Sequence, residues 1–486
     1  MYKKWGQQFA ASLCRWAAAV AVAGWVAAAA VPAQALTLEQ AISIALDSNP
    51  EIGQAIENRE AIEFELRQAR GLYMPRVDFE ASAGSRRLDS PGRRLSNLDD
   101  NTLHQQEIGG VVSWKLFDGF GREAQIERQA SRVDGASHRV WERSEFIALA
   151  ITKEYFEILL QIRITEIAES NLAYHRRISD RIRRGVNGGS LTSADAQQGQ
   201  ERLKAAQARL IQAQDELAQA RSHFFKLVAQ PPSGLGAFRN LSASLPRSLD
   251  VALGGARTRN PQIKIAEADL DAARALLRAA RAKYYPEVSL EGRVRSGNDI
   301  DGVENRTNDM QAKIVTRFNI FNGGIDAAGE QEQVRRLSEA RLKLHQIQRD
   351  VEEALRTAWD KRSNQAALVV ALKEQARLGK GVVDAYEEQF TAGRRTLLDV
   401  LSAQNTHVNT LVLAEIARYA ELFATYRVMA AMGELLPSLG LQPSLASAAY
   451  AREQARVPET PAAETMRRYS PDRKSGYGFW RTEVVR

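Results

Sequence analysis

Two pairs of segments with alternating apolar and polar residues, each pair followed by a very long helical pattern, organise this chain. The alternation covers residues 76–88, 105–118, 286–297 and 308–321, with approximate ends. Successive side chains of a β-strand point to opposite faces, so a period of two predicts four strands. In the first strand Val77 and Phe79 point one way and Asp78 points the other. Each strand is therefore expected to have one apolar and one charged face.

Helical periodicity follows each strand pair and runs further than a globular domain needs. In the first half it extends from about Arg122 to Arg184 and resumes from about Thr192 to Val228. A helix of about 65 residues would be about 100 Å long at 1.5 Å per residue. Alternating Leu and Ala at heptad spacing between Leu203 and Ala220 lets such helices pack closely side by side. The pattern predicts an elongated object made of long packed helices.

The chain contains two copies of one layout. Asn49-Pro50 recurs as Asn260-Pro261 after 211 residues, and Phe117 recurs as Phe321 after 204 residues. Each copy has the order helix, strand, strand, helix, which predicts a first repeat over 36–235 and a second over 236–441. Residues 442–486 lie outside the repeats, and their composition predicts a mostly disordered tail. The aromatic cluster Gly476–Trp480 in that tail offers a surface for a partner, although an unstructured end is the simpler expectation.

Glycines mark the corner between strand and long helix in both copies, at Gly119 and Gly323. The first corner, Gly119–Ala124, also fits the G-x-G-x-x-A pattern of dinucleotide-binding loops. That pattern requires a second parallel strand shortly afterwards, and only helix follows here. We therefore interpret both glycines as corners at which a strand reverses into a helix.

A doubled G-x-x-T-x-x-D motif stands at the turn after each long helix. Its members are Gly189, Thr192 and Asp195 in the first copy, and Gly393, Thr396 and Asp399 in the second. The glycine is expected to end one helix, and the threonine to cap the next, whose positive N-terminus favours the aspartate. A sharper hypothesis places these turns at the tip of a helical tube, where Asp195, Asp399 and Arg395 would form charged rings.

The N-terminus has the features of an export signal. Lys3 and Lys4 precede the apolar run Trp16–Val31, and Ala33-Gln34-Ala35 resembles a cleavage site. We expect residues 1–35 to be a cleaved signal peptide, because the run is shorter than a membrane span needs. The one cysteine, Cys14, lies inside this signal, so thiolate chemistry and disulfides are not expected of the mature chain.

Charge and motifs argue against nucleic-acid binding and catalysis. The formal net charge is +7, but arginines alternate with acidic residues along the helices and form no basic stripe. The histidines stand apart, at positions 104, 138, 175, 223, 345 and 407, and no nucleophile or phosphate-loop motif is present. We therefore expect no enzyme activity, no cofactor and no metal.

The strand alternation alone fits a half-buried soluble sheet as well as a transmembrane strand with one lipid face. The export signal, the absence of a globular core and the duplication favour the membrane. Four strands cannot close a barrel, for which about eight are needed, and open sheet edges do not sit in lipid. Several chains must then share one barrel. The expected fold class is α+β, with a shared transmembrane β-barrel continuous with a long periplasmic α-helical barrel.

In layout and motifs the chain resembles the TolC family of outer-membrane export ducts. The resemblance rests on the duplication, two Tyr-x-Pro strand entries, the two corners and the doubled tip motif over about Leu36–Leu441. It implies a homotrimer in the outer membrane that extends into the periplasm. It also implies docking of a periplasmic adaptor and an inner-membrane ABC transporter or other pump on the tips, with passive conduction.

By motif position, the resemblance makes Asp399, Arg395 and Asp195 candidates for the periplasmic gate, with an Arg395–Asp195 pair. Gly189, Thr192, Gly393 and Thr396 become candidates for adaptor contact. The chain departs from the family pattern at Ser402, Phe390 and Ala194, where relatives carry a carboxylate, a tyrosine and a threonine. A weaker or differently connected latch is therefore expected.

The cargo is left open by these patterns. No cysteine suitable for lipidation follows the signal, which favours type I protein secretion over the multidrug-efflux branch, many of whose members are lipoproteins. The competing hypothesis, from a different functional class, is a trimeric coiled-coil adhesin or structural envelope protein. Strand pairs at two equivalent places argue against it, because an adhesin would keep its barrel at one end.

Overall fold

The structure, a computed structural model, describes residues 35–96, 100–232, 234–458 and 460. The predicted signal peptide lies outside the described residues apart from Ala35. The first repeat contains α1 (Leu38–Ser48), α2 (Pro50–Gly71), β1 (Arg76–Arg87), α3 (Pro91–Leu95), β2 (Thr102–Phe117), α4 (Gly121–Asn187) and α5 (Ser193–Val228). The second contains α6 (Leu249–Arg259), α7 (Pro261–Ala282), β3 (Glu287–Asn298), β4 (Arg306–Arg317), α8 (Ile325–Thr391) and α9 (Leu397–Met432). Two short helices follow, α10 (Leu435–Ser438) and α11 (Ala451–Gln454).

Apart from α3, the two repeats match helix by helix. Both first helices have 11 residues, both second helices 22, both long helices 67 and both final helices 36. The reason is local: Asn49 and Asn260 cap the second helices, each of which starts at a proline that needs no N–H partner. Each long helix of 67 residues is about 100 Å in length at 1.5 Å per residue.

The four strands form one antiparallel sheet in the order β1-β2-β3-β4, so β1 and β4 are its open edges. Directly paired residues share a face, and Val77 pairs with Val112, while Leu290 pairs with both Trp114 and Ile314. The predicted apolar positions therefore lie on one face of the sheet, and they are exposed in the single chain. This alternation is what a strand between lipid and water requires.

The opposite face of the sheet carries charge. Arg295 lies 2.9 Å from Asp309, and Arg317 lies 2.7 Å from Glu291, each pair joining β3 to β4. The predicted fourth strand extends too far, because β4 ends at Arg317 and not near residue 321. The predicted loop after β1 also contains the short helix α3.

The main core lies where α1 packs against α4 and α5, and where α9 packs against α4. Tyr155 is fully buried there, and its hydroxyl donates to the carbonyl oxygens of Leu36 and Gly236 at 3.1 and 2.9 Å. One side chain thus ties α4 to the start of the first repeat and to the segment that joins the repeats. Within the described part of the chain, none of the helices has the combination of length and apolar character needed to cross a bilayer.

The prediction of a mostly disordered tail is wrong for residues 442–458, which we call the C-terminal strap. Asp134 of α4 accepts hydrogen bonds from the N–H groups of Tyr450, Ala451 and Arg452 at 2.8–3.1 Å. The Arg452 guanidinium also bridges Asp134 at 3.0 Å and Asp271 of α7 at 2.9 Å. The strap is ordered because it binds two buried carboxylates, one from each repeat; Asp271 also pairs with Arg274 of α7 at 3.0 Å. Residues 461–486, including Gly476–Trp480, lie outside the described residues.

Candidate functional site

The two helical hairpins end in turns of the same geometry. Gly189 and Gly393 follow the long helices with φ of 74° and 71°, a left-handed conformation that favours glycine. The N–H of Ser190 donates to Gly185 at 2.9 Å, and that of Arg394 donates to Gln389 at 2.8 Å, so the last carbonyl groups of each helix are satisfied. The predicted role of both glycines in ending the long helices is confirmed.

The threonine and the aspartate of each motif form a reciprocal cap. The Thr192 hydroxyl accepts from the N–H of Asp195 at 3.2 Å and donates to its carboxylate at 2.7 Å, and the carboxylate accepts from the N–H of Thr192 at 2.9 Å. Thr396 and Asp399 repeat the arrangement, with 3.3, 2.8 and 3.4 Å. The predicted capping role is confirmed in both copies.

The caps also hold negative charge at the tips. Hydrogen bonds from the backbone and the hydroxyl of Thr192 lower the pKa of Asp195 from its ordinary value. The Thr396 hydroxyl, with a smaller effect of Arg395, lowers the pKa of Asp399. Both carboxylates are therefore ionised at neutral pH, and each copy of the chain brings both of them to its tip.

Within one chain, Arg395 contacts residues of its own hairpin. Its Nη1 lies 3.7 Å from Asp399, its Nε donates to Gln389 at 3.1 Å, and its guanidinium lies over the Tyr386 ring at 4.1 Å. Within the described part of one chain, Arg395 thus stays on its own hairpin beside Asp399, and its pairing with Asp195 stays a prediction for the assembled protein. The carboxylate of Asp195 is engaged in its own cap.

An apolar cluster that the sequence did not single out joins the outer hairpin (α4–α5) to the inner hairpin (α8–α9). Tyr174, Ile178 and Ile182 of α4 pack against Leu397 and Leu401 of α9. These α4 residues recur every four positions, but so do apolar residues along the whole helix, so the pattern did not distinguish them. The contact fixes the position of the inner tip relative to the outer one.

Phe390 packs against this cluster, where the family resemblance calls for a tyrosine hydroxyl. A second link lies further from the tip, where Gln404 of α9 donates to Asn171 of α4 at 3.1 Å. The other two departures, Ala194 and Ser402, are both exposed. The hairpins are therefore joined within the chain mainly by apolar contact.

The strand-to-helix corners adopt the predicted conformation. Gly119 and Gly323 have φ of 67° and 69°. The first corner is locked by Arg122, which donates to the carbonyl oxygens of Lys115 and Leu116 at 2.6 and 3.1 Å. Arg122 also lies 3.2 Å from Asp118. These bonds turn the chain from the sheet into α4.

Replacing Thr396 by alanine should loosen the first turn of α9, because the N-terminal amides lose their cap. The expected cost is about 1 kcal/mol, which corresponds to about fivefold faster amide exchange. Hydrogen–deuterium exchange over residues 397–400 measures it, and Thr192→Ala should do the same for 193–196 only. Unchanged exchange in both variants would mean that the caps do not stabilise the first turns of α5 and α9.

The described part of the chain does not form a candidate metal site. Among the described residues, no group of three or more His, Cys, Asp or Glu side chains is placed to hold a metal ion. The tips instead present the ionised carboxylates of Asp195 and Asp399, which are held in place by their hydrogen-bonded caps.

The sheet and the hairpins together define a class of protein. A sheet with one apolar face and two open edges, continuous with helices about 100 Å long, forms a membrane channel whose wall is shared between chains. The chain belongs to the outer membrane efflux protein family, which matches residues 41–230 and 252–434. Members of this family are non-enzymatic outer-membrane channels, and they work as homotrimers with periplasmic adaptors and inner-membrane transporters.

Individual relatives extend this likeness over most of the chain. Outer membrane protein TolC of Escherichia coli is 22% identical over 460 residues, covering 90% of this chain and 91% of the relative. Alkaline protease secretion protein AprF of Pseudomonas aeruginosa is 23% identical, covering 81% and 84%. The crystal structure of outer membrane protein VceC from Vibrio cholerae superposes with a TM-score of 0.70 at 17% identity, covering 82% and 96%.

Proposed function

We propose that this outer-membrane channel is the exit duct of a type I secretion system, through which a protein substrate passes from an inner-membrane ABC transporter and a periplasmic adaptor. The observation that supports a duct is the open-edged sheet joined to two helical hairpins. Each hairpin consists of one helix of 67 residues and one of 36. Three such sheets close one barrel, and the hairpins prolong its wall. Conduction is passive, because the energy comes from the transporter.

Two observations favour protein secretion as the task. Cys14, the one cysteine of the chain, precedes the apolar part of the signal and cannot serve as a lipidated N-terminus after it. AprF, by its name, serves the secretion of an alkaline protease, and it matches four fifths of this chain. Multidrug or other small-molecule efflux is the alternative, and the family description favours it.

The tips are the proposed contact for the adaptor. Gly189, Thr192, Gly393 and Thr396 are exposed, and they stand on turns whose hydrogen bonds are satisfied internally. A rigid, exposed and repeated turn is a suitable surface for a helical partner. The adaptor would therefore meet six similar tips, two from each copy.

Asp195, Asp399 and Arg395 are the proposed gate. Three copies bring three Arg395–Asp399 pairs to the tube mouth, each braced by Tyr386. An arginine held on its own hairpin limits the negative charge of the mouth and keeps the inner tip compact. The gate then responds to contacts that draw Arg395 away from Asp399.

Replacing Arg395 by alanine should raise single-channel conductance several-fold in planar bilayers, because Asp399 is freed and the inner tip loses its contact with Tyr386. The neighbouring Arg394→Ala is the matched control, since it removes the same charge without that ion pair. Equal conductance in the two variants would contradict the assignment of the gate.

One experiment separates secretion from efflux. The gene is expressed in a bacterium that lacks its own export duct but keeps one ABC secretion pair and one drug pump. We expect restored secretion of the protein substrate into the medium. Restored drug resistance without secretion would favour the alternative.

A further inference from the structure

The apolar face of the sheet becomes polar towards one end of its strands. Strand pairing divides this face, which we call the lipid face, into rows of one residue from each strand. An apolar row consists of Phe79, Gly110, Val294 and Met310. Two rows further along β1, the polar row consists of Ala83, Gln106, Asn298 and Arg306. The lipid face therefore has an apolar band and a polar end.

The polar row lies at the end of the sheet that is far from the long helices. α4 and α8 begin beyond the opposite ends of β2 and β4, and these helices extend into the periplasm. The turns that join β1 to β2 and β3 to β4 therefore face the outside of the cell. The polar row thus lies where the apolar band of a transmembrane sheet meets the head groups of the outer leaflet.

A cleft of about 570 Å³ lies at this boundary. Its lining on the lipid face consists of the polar row and three residues of the preceding row, Ala81, Ile108 and Ser296. Glu107 also borders the cleft, but its side chain lies on the opposite face of the sheet, 3.2 Å from Arg293. Short side chains on the lipid face leave room there for a group from the membrane.

Arg306 is the cation of this cleft, and its side chain has no partner within the described residues. The lipid face carries no carboxylate at the paired positions of its four strands. Four carboxylates of the adjacent turns are engaged by other arginines: Asp89 by Arg94, Asp100 by Arg87, Asp301 by Arg295 and Glu304 by Arg93. The side-chain amides of Gln106 and Asn298 also bond no other described residue. These donors are therefore available to a group outside the chain.

We propose that this cleft binds lipid A, the phosphorylated and acylated disaccharide that anchors lipopolysaccharide in the outer leaflet. The Arg306 guanidinium donates two parallel hydrogen bonds to a phosphate, a pairing that suits its planar fork. Gln106 and Asn298 bond hydroxyl and amide groups of the sugar, and the acyl chains lie along Val294 and Met310. The proposal requires only the outer-membrane location of the channel and is independent of its cargo.

The chemistry of the polar row favours lipid A over a phospholipid. An arginine alone would suit any phosphate, but a glycerol backbone offers few groups for two further amides. A disaccharide has hydroxyl and amide groups beside its phosphates, at the same depth in the membrane. One cation in a row with two amides therefore matches a phosphorylated sugar.

Titration with fluorescently labelled lipid A tests the proposal on the purified channel, after bound lipopolysaccharide has been removed in detergent. Arg306→Gln should weaken binding about tenfold, the effect of losing one hydrogen bond from a charged group. Ala81→Phe leaves the charge in place but fills the cleft, so it should weaken binding as well. Arg306→Lys keeps the charge and loses the fork, and its affinity should lie between those of the unaltered chain and Arg306→Gln.

Arg94→Gln is the matched control. It removes one positive charge from the same end of the sheet, but Arg94 lies 2.8 Å from Asp89 and outside the cleft. Its affinity for lipid A should equal that of the unaltered chain. Circular dichroism first compares the strand content of the variants, and if Arg306→Gln lacks it, Ala81→Phe decides the test.

Four results would overturn the proposal. Equal affinities of Arg306→Gln and Arg94→Gln would show that Arg306 does not hold the lipid. Unchanged binding by Ala81→Phe would place the lipid outside the cleft. Phosphatidylglycerol that binds as tightly as lipid A would show that the sugar is not recognised. Displacement of lipid A by inorganic phosphate alone would show a site for free anions rather than for a lipid.

Discussion

Replacing Arg452 by alanine is expected to lower the free energy of unfolding by about 3 kcal/mol, because it removes the guanidinium that pairs with buried Asp134. Asp271 loses the same partner but keeps its ion pair with Arg274 at 3.0 Å. Asp134 and Asp271 are 3% and 1% exposed, and Arg452 bonds both. Burial alone would lower the pKa of Arg452, but its bonds to these carboxylates raise it. The guanidinium is therefore held charged between the repeats.

Urea titration of the detergent-solubilised protein, followed by tryptophan fluorescence, measures this loss. Trypsin should also cut faster after Arg456, the tryptic site of residues 442–458 that both proteins keep, because the strap detaches in the variant. Glu453→Ala is the matched control, since Glu453 is exposed on the same short helix. If the two variants unfold at the same urea concentration, the strap does not depend on Arg452.

Two buried groups on α4 are expected to give opposite dependences of stability on pH. Burial raises the pKa of Glu145 to about 7 from 4.5, although the N–H groups of Leu436 and Leu435 oppose the rise. Burial and the nearby Arg452 lower the pKa of His138 to about 4 from 6.5. Each difference corresponds to about 3 kcal/mol.

The signs follow from which state holds the proton. Because the folded chain holds the proton of Glu145 more tightly, protonation of Glu145 stabilises the fold fully below pH 4.5. This stabilisation is lost as the pH rises through 7. The lowered pKa of His138 costs stability as the pH falls from 6.5 to about 4, because the unfolded chain binds the proton first. In the unaltered protein the two effects largely cancel.

Single substitutions should separate these effects. Relative to the unaltered chain, Glu145→Gln should gain about 3 kcal/mol between pH 4.5 and 8. His138→Gln should gain a similar amount between pH 7 and 4. Unfolding titrations at four pH values measure both differences. Parallel curves for the three proteins would mean that neither group is shifted.

Much of the fold follows from local pattern. Asn49-Pro50 and Asn260-Pro261 set helix starts through capping, Gly189 and Gly393 set helix ends, and strand alternation sets the apolar face. Each of these signals acts within a few residues. They therefore predicted the repeats, the four strands and the turns, with errors of a few residues at strand ends.

Contacts between distant residues could not be predicted in the same way. Arg452 and Asp134 are 318 positions apart, and nothing around Asp134 marks it as a partner for the strap. A composition rich in Ala, Pro, Arg and Glu suggested disorder, but two buried carboxylates provide the binding site that orders it. Within the chain, Arg395 lies 3.7 Å from Asp399, four residues away, and the pair with Asp195 that the family position favours remains a prediction for the assembled protein.

Copies of this chain are expected to enclose one continuous water-filled path through the outer membrane. Single-channel recording of the purified protein in planar lipid bilayers tests it most directly. We predict discrete current steps on insertion, with a further rise in Arg395→Ala. Insertion would be verified by protease protection. If no current step then appeared at any voltage or cation condition, the chains would not enclose a water-filled path.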